Sequence, residues 1–298
     1  MDIDIANIED AARTIDPVFL NSPQFSNERL SSALGRDVLV KVETLNPLGS
    51  FKGRGADFLV RSLPTGSVVV CATSGSLGMA VAHAGRRYGV GVVLYVAAAI
   101  PSSTLVALQQ LGADVRAEQS DPAAAARAHA TRHAGHLLID THPALAEGAG
   151  TIAVELLRSG PIDAVLLPVG GASLITGAAR WIKHRSPATR IIGVCPAGAP
   201  AMAESWRAGH PVMVEPTGTI ADGLAMKEPM PQIVARMCAL IDDMVLVTDV
   251  AMTSVMRLAA STLGLLIDPS AAAGLAAVLE HDPPGGRVAT VITGAART

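Results

Sequence analysis

The chain has 298 residues, half of them hydrophobic and 16% charged: enough for a sizeable core in one large or two small domains, and too apolar for a disordered chain. A formal net charge of −3, the lack of a long basic run and an aromatic content of 3% argue against nucleic-acid binding. Cys71, Cys195 and Cys238 are far apart and fit no metal spacing, the N-terminal MDIDIANIEDAART is too acidic for a signal peptide, and no stretch reaches the roughly 18–20 apolar residues of a membrane span, so a soluble cytoplasmic protein with buried thiols and no membrane partner is expected.

Short β-branched runs alternate with segments of helical period. The first run, Val38–Val42, leads into Glu43-Thr-Leu-Asn-Pro-Leu-Gly-Ser-Phe-Lys52-Gly-Arg-Gly-Ala56. Asn46-Pro47 and Gly49 mark a turn, and Ser50 is placed to cap a following helix whose first turn holds Lys52 beside Phe51. Burial lowers a lysine's pKa, and a lysine so tuned forms imines with aldehydes. Gly53 and Gly55 are expected to leave room for a flat group. Lysine is scarce, with only Lys41, Lys52, Lys183 and Lys227 against nineteen arginines, so Lys52 is not easily read as generic surface. The bland alternative is a lysine snorkelling from an ordinary helix start.

Next come the strand Ser67–Ala72, the loop Thr73-Ser74-Gly75-Ser76-Leu77-Gly78 and the helix Gly78–Tyr88. Hydroxyls and backbone N–H groups at a helix start make an anion site suited to a substrate carboxylate. The G-x-G-x-x-G spacing of a dinucleotide fold is absent. Strands Val90–Val96, Ala113–Ala117 and Leu137–Ile139 follow, with helices Ser102–Leu111 and Pro122–His133 between them. Asp121-Pro122 and Asp268-Pro269 are N-cap signals. His129, His133 and His136 are read as one exposed helix face, Cys71 as core and Arg54 as an ion-pair or structural residue.

After helix Ala146–Arg158, strand Ala164–Pro168 runs into Gly170-Gly171-Ala172-Ser173-Leu174 and helix Ser173–His184. Small residues at a helix start let backbone N–H groups converge on one phosphate, and without a Gly-Lys-Ser/Thr ending a monophosphate ester fits better than a nucleotide. Strands Arg190–Val194, Val245–Val247 and Val288–Ile292 and helices Val250–Leu263 and Ser270–Glu280 complete the pattern. Thr293 closes the last strand, where open sheets place ligands, and can hydrogen-bond a ring nitrogen. The alternation predicts an α/β fold of two interleaved domains, each an open, mainly parallel sheet flanked by helices, with 1–64 and 143–298 as the larger and 65–142 as the smaller.

Taken together and in order, these segments resemble the fold-type II (tryptophan synthase β-like) pyridoxal-phosphate enzymes, in particular the threonine/serine dehydratase and serine racemase branch. Ser50–Ala56 matches the family's S-F-K-x-R-G-A, Thr73–Leu77 its S-x-G-N-H loop and Gly170–Ser173 its tetraglycine loop. Thr219–Ala225 matches T-I-A-D-G-x-A, Leu265–Ala271 its L-I-E-P-x-A, and Thr293-Gly294 its S-G pair. The resemblance implies pyridoxal 5′-phosphate held as a Schiff base by Lys52, with Phe51, Ser76, Gly170, Gly171, Ala172, Ser173, Leu174 and Thr293 around the cofactor. It implies Thr73, Ser74, Gly75, Ser76 and Leu77 around a small amino-acid substrate, with Lys52 and Ser74 as catalytic residues.

The implied reaction is β-elimination from a β-hydroxy α-amino acid, giving a 2-keto acid and ammonia. Racemisation with Ser74 as second acid/base, β-replacement, a silent cofactor-binding protein and a redox enzyme are the rivals. A homodimer is expected by the same resemblance. The chain ends soon after Thr293, so the regulatory domain of biosynthetic threonine dehydratases is not expected.

Several residues depart from the family pattern. Ser76 and Leu77 replace Asn-His, which takes away the usual partner of the cofactor hydroxyl, makes the mouth of the pocket smaller and more apolar, and leaves room for a larger β-substituent as one result. Ala172 and Ser173 replace glycines and are expected at ordinary φ. Asp268 replaces a glutamate, and Val194–Ala201 lacks the carboxylates of a cation site, so no metal is expected there.

Overall fold

In the computed structural model, which describes residues 2–296, the near-continuous apolar runs become parallel strands covered on both faces. β1 (Gln24–Ser26), β2 (Asp37–Val42), β7 (Ala164–Pro168), β8 (Arg190–Pro196), β9 (Asp243–Val247) and β10 (Arg287–Ile292) form a six-stranded sheet in the order β1-β2-β10-β7-β8-β9. All pairs in it are parallel except β1 against β2. β3 (Val68–Ala72), β4 (Gly91–Ala97), β5 (Asp114–Glu118) and β6 (His136–Leu138) form a second, wholly parallel sheet in the order β5-β4-β3-β6. The fold class read from the alternation is that of the structure.

The helices are α1 (Ile5–Thr14), α2 (Glu28–Leu34), α3 (Lys52–Arg61), α4 (Ser76–Tyr88), α5 (Ser102–Gln110), α6 (Pro122–Arg132), α7 (Pro143–Leu156), α8 (Ser173–Arg185), α9 (Ala201–Ala208), α10 (Pro231–Leu240), α11 (Asp249–Leu263) and α12 (Pro269–Glu280). Period-two burial splits the strands between layers. Val165 and Ile191 face a core shared with α7, α8 and α10, while their neighbours Leu166 and Ile192 face one shared with α2, α11 and α12. In the smaller sheet Val69 and Cys71 pack towards α3 and α4, and Val70 and Tyr95 pack under α6. The capping signals hold: Asp121 accepts from the Ala124 N–H at 2.9 Å and Asp268 from the Ala271 N–H at 2.7 Å. No helix among the described residues is long and apolar enough to cross a membrane.

Two readings of the sequence are corrected here. Cys238 is exposed, unlike the buried Cys71 and Cys195, because it lies on the outer side of α10. The histidines do not form an exposed helix face. α6 ends at Arg132 and Gly135, at φ 90°, turns the chain into β6, so His136 lies in the sheet beneath His129. His129 is only 2% exposed; its Nε2 meets His136 Nδ1 at 2.9 Å, and its Nδ1 meets Tyr95 Oη at 3.1 Å and Arg116 Nη1 at 3.2 Å. The three rings stack, with the His129 and His133 centroids 4.1 Å apart.

Burial, then the neighbouring His133, Arg116, His136 and Arg132, hold the His129 imidazole below its ordinary pKa. The folded chain therefore binds fewer protons here than the unfolded chain. The site's contribution to stability is present above the unfolded value near pH 6.5 and is lost as the pH falls through the lower folded value. A scan of Tm from pH 8 to pH 5 should show a shallower acid-side fall in His129→Gln than in the natural chain; an equal or steeper fall contradicts this.

Candidate active site

Parallel strands end on a common edge, and three neighbours in the larger sheet deliver the three segments singled out from sequence. β2 leads to Lys52, β10 ends at Thr293, and β7 leads to Gly170. The ends of β2 and β7, with β10 between them, lie about 10 Å apart at two strand spacings.

The lysine turn is stitched to the end of β10. Glu43 N–H donates to the Ile292 carbonyl at 2.9 Å, Phe51 N–H to the Thr293 carbonyl at 3.1 Å, and Ala295 N–H to the Gly49 carbonyl at 2.9 Å. The Asn46 side chain closes the turn, its Oδ1 accepting from Leu48 N–H at 3.0 Å and its Nδ2 donating to the Glu43 carbonyl at 2.9 Å. Ser50 Oγ accepts from the Lys52 N–H at 3.4 Å, so Lys52 opens α3 as expected, partly buried. Phe51 packs on the core that contains Val169, Ala172 and Leu174, which ties the lysine turn to the glycine-rich turn. Thr293 is 6% exposed and follows β10 directly.

Gly53 and Gly55 do not leave room for a ligand. A Cβ on Gly53 would stand 2.4 Å from the Phe19 ring, and one on Gly55 2.4 Å from the Leu145 carbonyl oxygen of α7. Their missing side chains let α3 pack closely on its neighbours.

The glycine-rich turn has the features of an anion cup. A Cβ on Gly170 would stand 2.2 Å from the Gly223 carbonyl, so the turn is pressed against the Thr219–Ala225 run, whereas Gly171 faces open space. α8 begins without a side-chain cap, and its first N–H groups point at the cup. Ala172 was expected at ordinary φ; it sits instead in the left-handed region at φ 60° as the residue that starts α8. The turn must reverse within one residue to present its amides. A Cβ there costs about 1–2 kcal/mol, partly offset by roughly 0.5–1 kcal/mol of backbone entropy that glycine loses on folding. Ala172→Gly is therefore expected to raise stability by up to about 1 kcal/mol in urea unfolding, and Ala172→Val to lower it; a destabilised Gly variant contradicts the strain.

Across the site, β3 ends at Thr73. Its Oγ1 accepts from Gly75 N–H and Gly78 N–H, each at 3.0 Å, so this hydroxyl caps α4. Gly75, at φ 146°, takes a conformation reserved for glycine and turns the loop outward. Ser74 is exposed, and Thr73, Ser76 and Leu77 are half-buried beside it. Lys52 acts electrostatically on the Cys71 thiol near the end of β3. The thiol itself is pushed up by burial and is core, as read from sequence.

Sequence reading missed the buried ion network behind Lys52. Arg54, 0% exposed, donates Nε to Glu43 Oε2 at 2.8 Å and Nη1 to Glu155 Oε1 at 2.7 Å and Thr151 Oγ1 at 3.0 Å. Lys41 Nζ reaches Glu155 Oε2 at 2.6 Å. Burial opposes the charge on Glu155, but the Arg54 hydrogen bonds and the charges of Arg54 and Lys41 bring its carboxyl down to about 2. Glu43 and Arg54 lie in the lysine segment, but Thr151 and Glu155 are about a hundred residues further on, with nothing in sequence to join them.

The fold and this edge define an α/β scaffold of the kind seen in enzymes, with the lysine turn and the glycine-rich turn on neighbouring strands of one sheet. A family model described as pyridoxal-phosphate dependent enzyme matches residues 15–294, and the chain belongs to that family. The chain is 30% identical over 301 residues to the L-threonine ammonia-lyase of Thermotoga maritima, covering 98% of this chain and 75% of that one. It is 36% identical over 241 residues to a biosynthetic chloroplastic threonine dehydratase of Arabidopsis thaliana, spanning 78% of this chain and 40% of that one. The solved structure of maize serine racemase superposes with a TM-score of 0.90 at 27% identity, over 99% of this chain and 94% of that one. Pyridoxal phosphate is thus the cofactor of this protein. The capless start of α8 and the open space at Gly171 fit its phosphate.

Proposed function

We propose that this protein removes the β-hydroxyl and the amino group from a small β-hydroxy α-amino acid such as threonine, serine or a bulkier analogue, releasing a 2-keto acid and ammonia. The observation that carries this reading is the shared edge of β2, β10 and β7, which gathers Lys52, Thr293 and the turn at Gly170–Ser173 opposite the Thr73–Leu77 loop. When bound, pyridoxal phosphate supplies an aldehyde carbon and an electron-withdrawing ring. Lys52 would hold that carbon, and its Nζ would take the substrate Cα proton. The amides of Gly171, Ala172, Ser173 and Leu174 hold the phosphate, with Gly170 keeping the turn close to Thr219–Ala225 and Phe51 supporting it from the core. Thr293 gives the ring nitrogen a neutral hydroxyl rather than a charge. Backbone amides of Ser74, Gly75 and Ser76 hold the substrate carboxylate, with Thr73 fixing the loop, Ser76 beside the ring and Leu77 narrowing the pocket.

A second reading is racemisation, supported by an exposed hydroxyl at Ser74 and by the racemase likeness. A keto-acid release assay over threo and erythro β-hydroxy amino acids decides between them, with Ser74→Ala as the control. Release unaffected by that change supports elimination. Isomer exchange without release overturns it. The same proposal takes the two sheets as two domains, 1–64 with 143–298 and 65–142. It also takes the protein as a cytoplasmic homodimer, consistent with free thiols and with exposed Leu45 and Leu266.

A further inference from the structure

Asp140 is a half-buried carboxylate at the edge of the smaller sheet that the reading above leaves without a task. It follows β6 directly. β6 runs parallel to β3, with Val70 opposite Leu138 and Ile139 N–H donating to the Val70 carbonyl at 3.1 Å, so Asp140 stands beside the start of the Thr73–Leu77 loop. The Ala72 backbone acts on the carboxylate to lower its pKa, against the burial that raises it. Asp140 and Lys52 both act electrostatically on the Cys71 thiol, from opposite signs. The next residue, Thr141, is held from the larger sheet's side, its Oγ1 accepting from Gln232 Nε2 at 3.1 Å and its carbonyl from Arg236 at 3.3 Å. Asp140 therefore lies on the seam between the sheets, at the edge where the substrate loop begins. Among the described residues it has no ion-pair partner: Arg127 acts on it only through space and is itself 3.8 Å from Asp121. Burial pushes its carboxyl up to about 6.

We propose that Asp140 sorts substrates by side-chain charge, admitting amino acids whose β- or γ-substituent is a hydroxyl, an amide or a cation and rejecting those that carry a carboxylate. The proposal rests on the reading of the site as an amino-acid lyase. With the α-carboxylate held at the start of α4, the side chain is left to meet the next strand end of that sheet. A second carboxylate brought into this poorly screened seam is repelled, and a cation is attracted.

The test uses the holoenzyme and three amino acids of matched length that lack a β-leaving group: aspartate, asparagine and 2,4-diaminobutyrate. Their Kd values are read by calorimetry and by the change in cofactor absorbance, in the natural chain and in Asp140→Asn. Diaminobutyrate should bind tightest, and aspartate at least about tenfold more weakly than asparagine; Asp140→Asn should shrink that gap to about threefold or less with the cofactor band intact. Aspartate binding as well as asparagine in the natural chain overturns the proposal, as does a gap unchanged in the variant or no binding of any of the three. Should the variant fail to fold, the order in the natural chain alone decides. Keto-acid release from serine and threonine is measured in parallel: its absence with the charge order present sinks the lyase reading alone, and its presence without that order sinks the sorting alone.

Discussion

Replacing Lys52 with alanine is expected to abolish the visible band of the covalently held cofactor and to lower kcat by at least about a thousandfold, the scale of a lost general base compounded by a lost covalent anchor. The residue opens α3, where Ser50 and the β10 end fix its backbone, and only its side chain reaches the ligand edge. Removing that side chain leaves the fold, so melting should change little. The cup at Gly170–Ser173 still offers its amides to the phosphate, so Lys52→Ala should retain weak, non-covalent cofactor binding that added phosphate competes away. Steady-state kinetics, visible absorbance and a melting curve of the same preparation check the three parts. Turnover near the natural rate contradicts the assignment.

The largest stability effect is expected at Arg54. Arg54→Met removes a fully buried guanidinium and leaves Glu43, at 0% exposure, with the Ser22 hydroxyl but no ion-pair partner, and Glu155 with Lys41 and the Asn21 N–H. Breaking one partner of a buried ion cluster costs about 3–5 kcal/mol, because Glu43 is left buried without a counter-charge. Denaturant unfolding at pH 7 measures it. Glu155 adds a pH signature. Its lowered pKa means that its stabilising contribution is present above the ordinary value near 4.5 and is lost as the pH falls towards about 2. That acid-side slope should flatten in the variant. Because Glu43 ends β2 and joins the turn to Lys52, the variant should also lose cofactor affinity, whereas Lys52→Ala should keep its stability. A variant within about 1 kcal/mol of the natural chain would show that the cluster merely fills space.

How much was legible in the sequence differs by element. The strands that carry the site were readable because parallel strands buried on both faces are written as apolar runs; Ala164–Pro168 and Val288–Ile292 stand within a residue of the observed strands. Their adjacency was not readable, since β2, β10 and β7 meet only through long crossovers. The antiparallel edge strand Gln24–Ser26 and helices α1, α2, α9 and α10 carry mixed polar patterns and were not called. α7 begins at Pro143 rather than at Ala146 because His142 caps it and proline takes the first position. Ala172 could not be placed at positive φ from its side chain, because the turn and not the residue dictates the conformation. Asp140 had a faint signal, an acid just past a strand end, which needed the sheet order to acquire meaning.

The proposed site requires that Lys52, and no other lysine, be bonded to the cofactor. Reducing the holoenzyme with borohydride, digesting it and mapping the pyridoxyl label by mass spectrometry tests this among Lys41, Lys52, Lys183 and Lys227. The label is expected on the peptide that contains Lys52 and on none of the other three. Label on Lys41, Lys183 or Lys227 instead, or no label on any lysine, would contradict the account.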